Sequence, residues 1–184
     1  MFIQIADTPN PESLKFIPED VEIAGNKVSE YKNLEEAKLQ SPLAEKFFEI
    51  SAVKSVFLGK DFVTITKENN VEWQDIKTDI ISCLMDFINS GAEVFYKKND
   101  EENDDEDSEI VKQIKELIEM KVRPAVAMDG GDIIFHSFEN GIVFLSLRGA
   151  CSGCPSSTVT LKNGIENMLK HYIPEVESVE QMAE

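Results

Sequence analysis

Short apolar runs broken by turn residues fill the first half of the chain. "FIQIA" and "SLKFI" are rich in β-branched and aromatic residues and predict two strands. Between them "DTPNPE", with two prolines, an Asp and an Asn, predicts a turn. "LAEKFFEI" predicts a short helix, with Ser41 placed to cap it and Pro42 suited to its first turn. "VKSVFLG" and "DFVTITK" predict a hairpin across Gly59-Lys60-Asp61. From about Trp73 the period changes to 3.6. Trp73, Ile76, Ile80, Leu84, Phe87 and Ile88 form one face of a longer helix, and Gly91 ends it.

The second half reads helix, strand, strand, helix, short strand. Ile110, Ile114, Leu117 and Ile118 give the first helix its apolar face, and Pro124 is expected to stop it. "DGGDIIFHSF" turns into a strand on which His136 alternates with Ile134 and Phe138. Asn140-Gly141 is a strong hairpin signal, and "IVFLSLR" is the return strand. "GACSGCP" is a loop, and "SSTVTLKNGIENMLKHYI" is the closing helix. Ser156 or Ser157 is a candidate cap, and Pro174 follows the helix end. "EVESVEQM" is a candidate last strand. No repeat relates the two halves.

Between the halves, eight of the ten residues from Asp100 to Glu109 are acidic. Such a run repels itself and has nothing to bury, which predicts an extended tether. The predicted fold class is therefore α+β: two small α/β-sandwich domains, residues 1–96 and 109–184, joined by an acidic flexible linker at 97–108. With 42% hydrophobic residues among 184, the chain can bury a core. The net charge of −17 argues against nucleic acid or an anionic membrane surface as the main partner. No window approaches the ~20 apolar residues of a membrane span. The opening residues read neither as a secretory signal nor as a transit peptide. The expected location is the cytoplasm (bacterial), or the mitochondrial matrix if a presequence has been removed.

Two of the three cysteines, Cys151 and Cys154, form a C-x-x-C pair between a strand and a helix start. The helix N-terminus favours thiolate there, and Arg148 is the nearest cation. Gly149 and Gly153 let the backbone turn tightly and leave room against the loop, while Pro155 suits a helix start. Three chemistries fit such a pair. A redox dithiol of the thioredoxin kind wants a β-α-β setting with a parallel sheet, and here the pair follows the second strand of a hairpin. A zinc site wants four ligands. His136 reads as a strand histidine. His171 lies about 15 residues along the helix, roughly 20 Å from the pair at 1.5 Å per residue. An iron–sulfur cluster wants four thiolates, and a two-fold dimer would supply them from two copies of the loop. This third reading is favoured, with the dithiol and the structural metal kept as alternatives. Cys83 falls on the apolar face of its helix and is read as a packed thiol, not a ligand.

The stretches "KVRPAVAMDGGDIIF" and "LRGACSGCPSSTVTLKNGIENML" resemble the C-terminal domain of NifU, the Nfu-type iron–sulfur carrier. "MFIQIADTPNPESLKFIP" is similar to the N-terminal domain of two-domain Nfu proteins of mitochondria and related bacteria. The resemblance implies a non-enzymatic scaffold or carrier that binds a [4Fe–4S] cluster between two subunits and delivers it to apo-proteins; [2Fe–2S] remains possible. It implies Cys151 and Cys154 as the cluster ligands, a homodimer when cluster-bound, and apo client proteins and an upstream assembly scaffold as partners. It also suggests that the N-terminal domain helps select those partners. In "DGGD", Gly130 and Gly131 are read as permitting a tight turn into the strand.

Overall fold

A computed structural model of the chain describes residues 2–96, 107–151 and 155–182, with side chains from 159 onward in the last stretch. Residues 97–106 of the acidic stretch, and residues 152–154, which include Cys154, lie outside the described residues. The chain divides into two units, Met1–Asn99 and Asp100–Glu184. Among the described residues no helix is long and apolar enough to cross a membrane.

The first unit is a five-stranded antiparallel sheet with helices packed against it. Its strands are β1 (Ile3–Asp7), β2 (Ser13–Pro18), β3 (Ser29–Tyr31), β4 (Val53–Leu58) and β5 (Val63–Lys67), in the order β1-β2-β5-β4-β3. Leu14 pairs with Ile65, which pairs with Val56; Phe16 pairs with Val63, which pairs with Leu58. Strand alternation thus puts all six on one face, where they are buried. That face meets α2 (Pro42–Phe48) through Leu43 and Phe47, and α3 (Trp73–Ser90) through Ile76, Ile80, Leu84 and Phe87. Ser41 caps α2 by accepting from the Ala44 N–H, with Pro42 in the first turn. Gly91 ends α3 in the left-handed conformation, at φ 67°.

Strand β3 and α1 (Leu34–Gln40) are not anticipated by the hydrophobic period. Helix α1 is announced instead by its cap. The Asn33 side chain accepts from the Glu36 N–H at 2.9 Å, and the Glu36 carboxylate accepts from the Lys32 N–H at 3.1 Å. The turn at residues 8–12 is anchored from outside its own sequence. Trp73 donates its indole N–H to the Pro11 carbonyl at 3.0 Å, and Lys67 pairs with Glu12.

The second unit is a three-stranded sheet, β6 (Gly131–Glu139), β7 (Ile142–Gly149) and β8 (Ser178–Gln181), in that order. Asn140 and Gly141 both have positive φ, 51° and 81°, as a tight two-residue hairpin requires. Helix α4 (Glu109–Leu117) is capped by Ser108, whose hydroxyl accepts from the Val111 N–H, and Lys115 bonds Asp107 at 2.6 Å.

Pro124 does not stop this helix. A π-helical turn at Ile118–Val122 leads straight into α5 (Arg123–Met128). The apolar positions explain why. Ile114, Ile118, Val122 and Val126 are all buried, each four residues after the last. A spacing of four overshoots a 3.6-residue turn, and the wider π turn keeps the stripe on one face. It also places Pro124 in the first turn of the next segment, where a missing N–H does no harm.

The alternation along β6 also breaks. Ile133 and Phe135 pair with Leu147 and Leu145, but after an irregularity between Phe135 and Ser137 it is Phe138 that faces Val143. Phe138 therefore joins the core face, and His136 does not alternate with it as the sequence pattern predicts. His136 is exposed and meets the Ser146 hydroxyl at 3.0 Å through Nε2.

Helix α6 (Pro155–Tyr172) closes the unit, burying Ile165 and Leu169 against the core. It starts at Pro155, so Ser156 and Ser157 lie inside its first turn instead of capping it. The last strand, β8, runs parallel to β7. The segment β7–α6–β8 is therefore a parallel crossover.

Candidate metal centre

Cys151 lies two residues beyond the end of β7 and is 3% exposed. Three backbone features set it there. Gly149 takes φ 69°, which turns the chain out of the strand. The Ala150 N–H donates to the Gly130 carbonyl at 3.1 Å, tying the loop to the start of β6. Gly131 pairs with Gly149 in the ladder.

The two glycines of "DGGD" have different jobs. Gly130 makes the turn, at φ 79°. Gly131 is there for space: a Cβ on it would stand 2.5 Å from the Arg148 carbonyl oxygen and 2.9 Å from the Cys151 sulfur. The flanking aspartates are also accounted for. Asp129 ends α5, and its N–H bonds back to the helix. Asp132 is buried and accepts from Arg123 Nε at 2.9 Å. Arg123 also donates to Glu119 and, at 3.2 Å, to the Ile133 carbonyl. Burial pushes the Asp132 carboxyl above its ordinary range, and the Arg123 charge pulls against that rise. The Arg123–Asp132 pair thus staples α5 to β6 at the residue that follows Gly131. Sequence reasoning missed this pair; its only trace is a cation and an acid nine positions apart.

A groove of about 320 Å³ opens beside Cys151. Val122, Ala125 and Asp129 line one wall, and Leu161, Gly164, Ile165 and Met168 of α6 line the other. The walls are mainly apolar, with Asp129 and Thr160 as the polar exceptions. Among the described residues, no three His, Cys, Asp or Glu side chains cluster as a metal site would need.

The remaining candidates fall elsewhere. Cys83 packs half-buried against the core of the first unit, and burial pushes its thiol up to about 11. His171 sits in the last turn of α6, edge-on to the Tyr172 ring at 5.0 Å, at the opposite end of an 18-residue helix from the cysteine loop. Cys154 lies outside the described residues.

Two family descriptions match the chain. "Scaffold protein Nfu/NifU N terminal" covers residues 3–91, and "NifU-like domain" covers residues 114–180. The human "NFU1 iron-sulfur cluster scaffold homolog, mitochondrial" is 50% identical over 189 residues, which take in 99% of this chain and 72% of that protein. The chain belongs to the NFU1-type iron–sulfur cluster scaffold family. A Drosophila persimilis protein of the same description is 50% identical over 185 residues, 99% of this chain and 65% of that one. The chain thus spans about two thirds of the length of these NFU1 relatives. A solved NifU-like protein from Saccharomyces cerevisiae is 33% identical, covering 53% of this chain and 87% of its own, with a TM-score of 0.46.

The described part of the centre fits the cargo of an NFU1-type scaffold. A soft sulfur donor stands at the edge of an apolar groove, held there by a glycine cradle that a single methyl group would fill.

Proposed function

We propose that two chains hold one iron–sulfur cluster through four thiolates, Cys151 and Cys154 of each, and pass it to apo-proteins. The observation that carries this reading is the placement of Cys151, a thiol fixed by the Gly130–Gly131 turn and opening on an apolar groove, in a domain of the NifU-like family. The cluster is cargo. In each exchange step a client thiol binds iron as thiolate, one carrier sulfur leaves, and the proton released by the client goes to the departing sulfur. No covalent bond of an organic substrate is made or broken, so the chain acts as a carrier and not an enzyme. A [4Fe–4S] cluster is the proposed form. Clients are apo iron–sulfur proteins, and an upstream scaffold supplies the cluster. The relatives are mitochondrial proteins, which favours the mitochondrial matrix over a bacterial cytoplasm.

One observation speaks for a dithiol oxidoreductase. The parallel β7–α6–β8 crossover supplies the setting that the sequence pattern lacked. Against it stands the family: both matched descriptions are of Nfu/NifU-type proteins, one of them a scaffold.

The test is anaerobic reconstitution with iron and sulfide, followed by iron, sulfide and mass determination. About two irons and two sulfides per chain in a dimer match one four-iron cluster across two loops. A monomer without iron, carrying a reversible Cys151–Cys154 disulfide, would reject the carrier reading.

A further inference from the structure

Asp132 is buried where the strand pattern does not ask for it. Ile133 belongs to the core, so alternation puts Asp132, with Ile134 and His136, on the opposite face of β6. His136 on that face is exposed, yet Asp132 is only 5% exposed. Its carboxylate accepts from Arg123 Nε at 2.9 Å, and a second arm of the same guanidinium donates to the Ile133 carbonyl at 3.2 Å. A third nitrogen meets Glu119, one turn upstream on the helical path. For stability alone this is a poor device. Taking a carboxylate out of water costs much of what the pairing returns, and apolar groups of similar size often serve as well. What a forked guanidinium adds is direction. Its planar set of donors fixes one backbone segment in one place, which apolar packing or a single ammonium does not.

The segment so fixed is the one Cys151 packs against. Asp132 follows Gly131 and pairs with Arg148 in the ladder, while Gly131 pairs with Gly149. A Cβ on Gly131 would stand 2.9 Å from the Cys151 sulfur, and the Gly130 carbonyl accepts from the Ala150 N–H. We infer that Arg123 is a positioning residue for the cluster ligand: through Asp132 and the Ile133 carbonyl it sets the start of β6, and through Gly130 and Gly131 the place of the Cys151 sulfur. The inference rests on the carrier reading above and adds to it a residue outside the cysteine motif. It also gives the π turn a consequence for the site. Arg123 opens α5 where that turn ends, so the wider turn just before it decides which way position 123 faces.

The experiment uses the full chain and compares wild type, Arg123→Lys, Arg123→Met, the double variant Arg123→Met with Asp132→Leu, and Lys162→Met as a control. Lys162 pairs with Glu180 at 3.2 Å, which ties α6 to β8 and not to β6. Three quantities are measured. They are the melting point of the apo protein, the rate at which its Cys151 reacts with iodoacetamide by mass spectrometry, and the rate at which the reconstituted cluster loses iron to a chelator. Arg123→Met alone should melt lower, because it leaves Asp132 buried without its partner. The double variant and Arg123→Lys should melt close to wild type, yet in both Cys151 should label, and the cluster should lose iron, about tenfold faster. Lys162→Met should match wild type in both rates. Wild-type labelling and iron retention in the double variant would overturn the inference; if that variant does not fold, the same two rates in Arg123→Lys decide it. Rates that only follow the melting point across the series would overturn it as well, since the pair would then hold the fold and nothing more. Wild type that takes up no iron would reject the carrier reading, and the inference with it. That outcome shows in wild type alone, the others only in the variants.

Discussion

The sulfur of Cys151 and the backbone of Gly131 are packed so closely that a single methyl group on the glycine would stand 2.9 Å from the sulfur and 2.5 Å from the Arg148 carbonyl oxygen. Backbone cannot yield as the end of a flexible side chain can. Gly131→Ala is expected to destabilise the second unit by about 1–3 kcal/mol, the usual range for overpacking. It should also displace Cys151 and lower the iron retained after reconstitution. Denaturant unfolding and iron analysis on the same variant check both. Unchanged stability with unchanged iron would mean that the loop is not held as described.

The ligand assignment separates the three cysteines. Cys151→Ala and Cys154→Ala should each lose stable cluster binding, while Cys83→Ala should keep it. Iron and sulfide content, measured beside circular dichroism to confirm folding, decides the matter. Cluster loss in Cys83→Ala with the fold intact would overturn the assignment.

Burial raises the Cys83 thiol to about 11 from its ordinary 9.0; Lys46 pulls it down and Glu49 and Asp86 push it up. The neutral thiol is the form the fold prefers. Its contribution to stability is fully present below pH 9 and is lost as pH rises through about 11. At pH 8 Cys83 should react with thiol reagents far more slowly in the folded chain than in denaturant, because thiolate is the reacting form. Mass spectrometry of labelled peptides measures the ratio, and equal rates would remove the case for a packed, inert thiol.

Glu166 ties α6 to β8. Its carboxylate accepts from Lys170 Nζ at 2.7 Å and from the Val179 backbone N–H at 3.0 Å, and both bonds hold it below its ordinary 4.5, Lys170 the more strongly. The sign follows from the lowered value. The stabilisation is present above pH 4.5 and is lost as pH falls through the folded-state value. Glu166→Gln keeps an acceptor for Val179 but loses the charge. It should cost about 1 kcal/mol near neutral pH, and less in acid. Thermal melts of both proteins from pH 7 to pH 3 should converge at the acid end; parallel curves would contradict this account.

Trp73 holds the "DTPNPE" turn through the Pro11 carbonyl. Trp73→Phe keeps an aromatic ring there but removes the donor, so about 1 kcal/mol should be lost from the first unit. Amide exchange at residues 8–13 should accelerate in the variant. Unaltered exchange would show that the turn's own bonds, from Thr8 to Asn10 and Ser13, suffice.

What the sequence determined by itself is mostly local. Ser41-Pro42 and Gly91 mark helix ends because their chemistry satisfies or relieves the backbone within one turn. Asn140-Gly141 fixes a hairpin because both positions need φ above zero. The spacing of Cys151 and Cys154 and the motif around them pointed to metal chemistry and to the family. The tertiary structure decided whatever depends on distant residues sharing space. Pro124 reads as a stop, yet a stripe of buried residues four apart keeps the helical path going through a π turn. His136 loses its alternation with Phe138 because the core recruits Phe138 across an irregular ladder. The parallel β8 appears only once α6 has crossed the sheet. Gly131 and Gly164 look alike in the sequence. Their different surroundings, one against a sulfur and one open over a groove, exist only where elements far apart in the chain pack against each other.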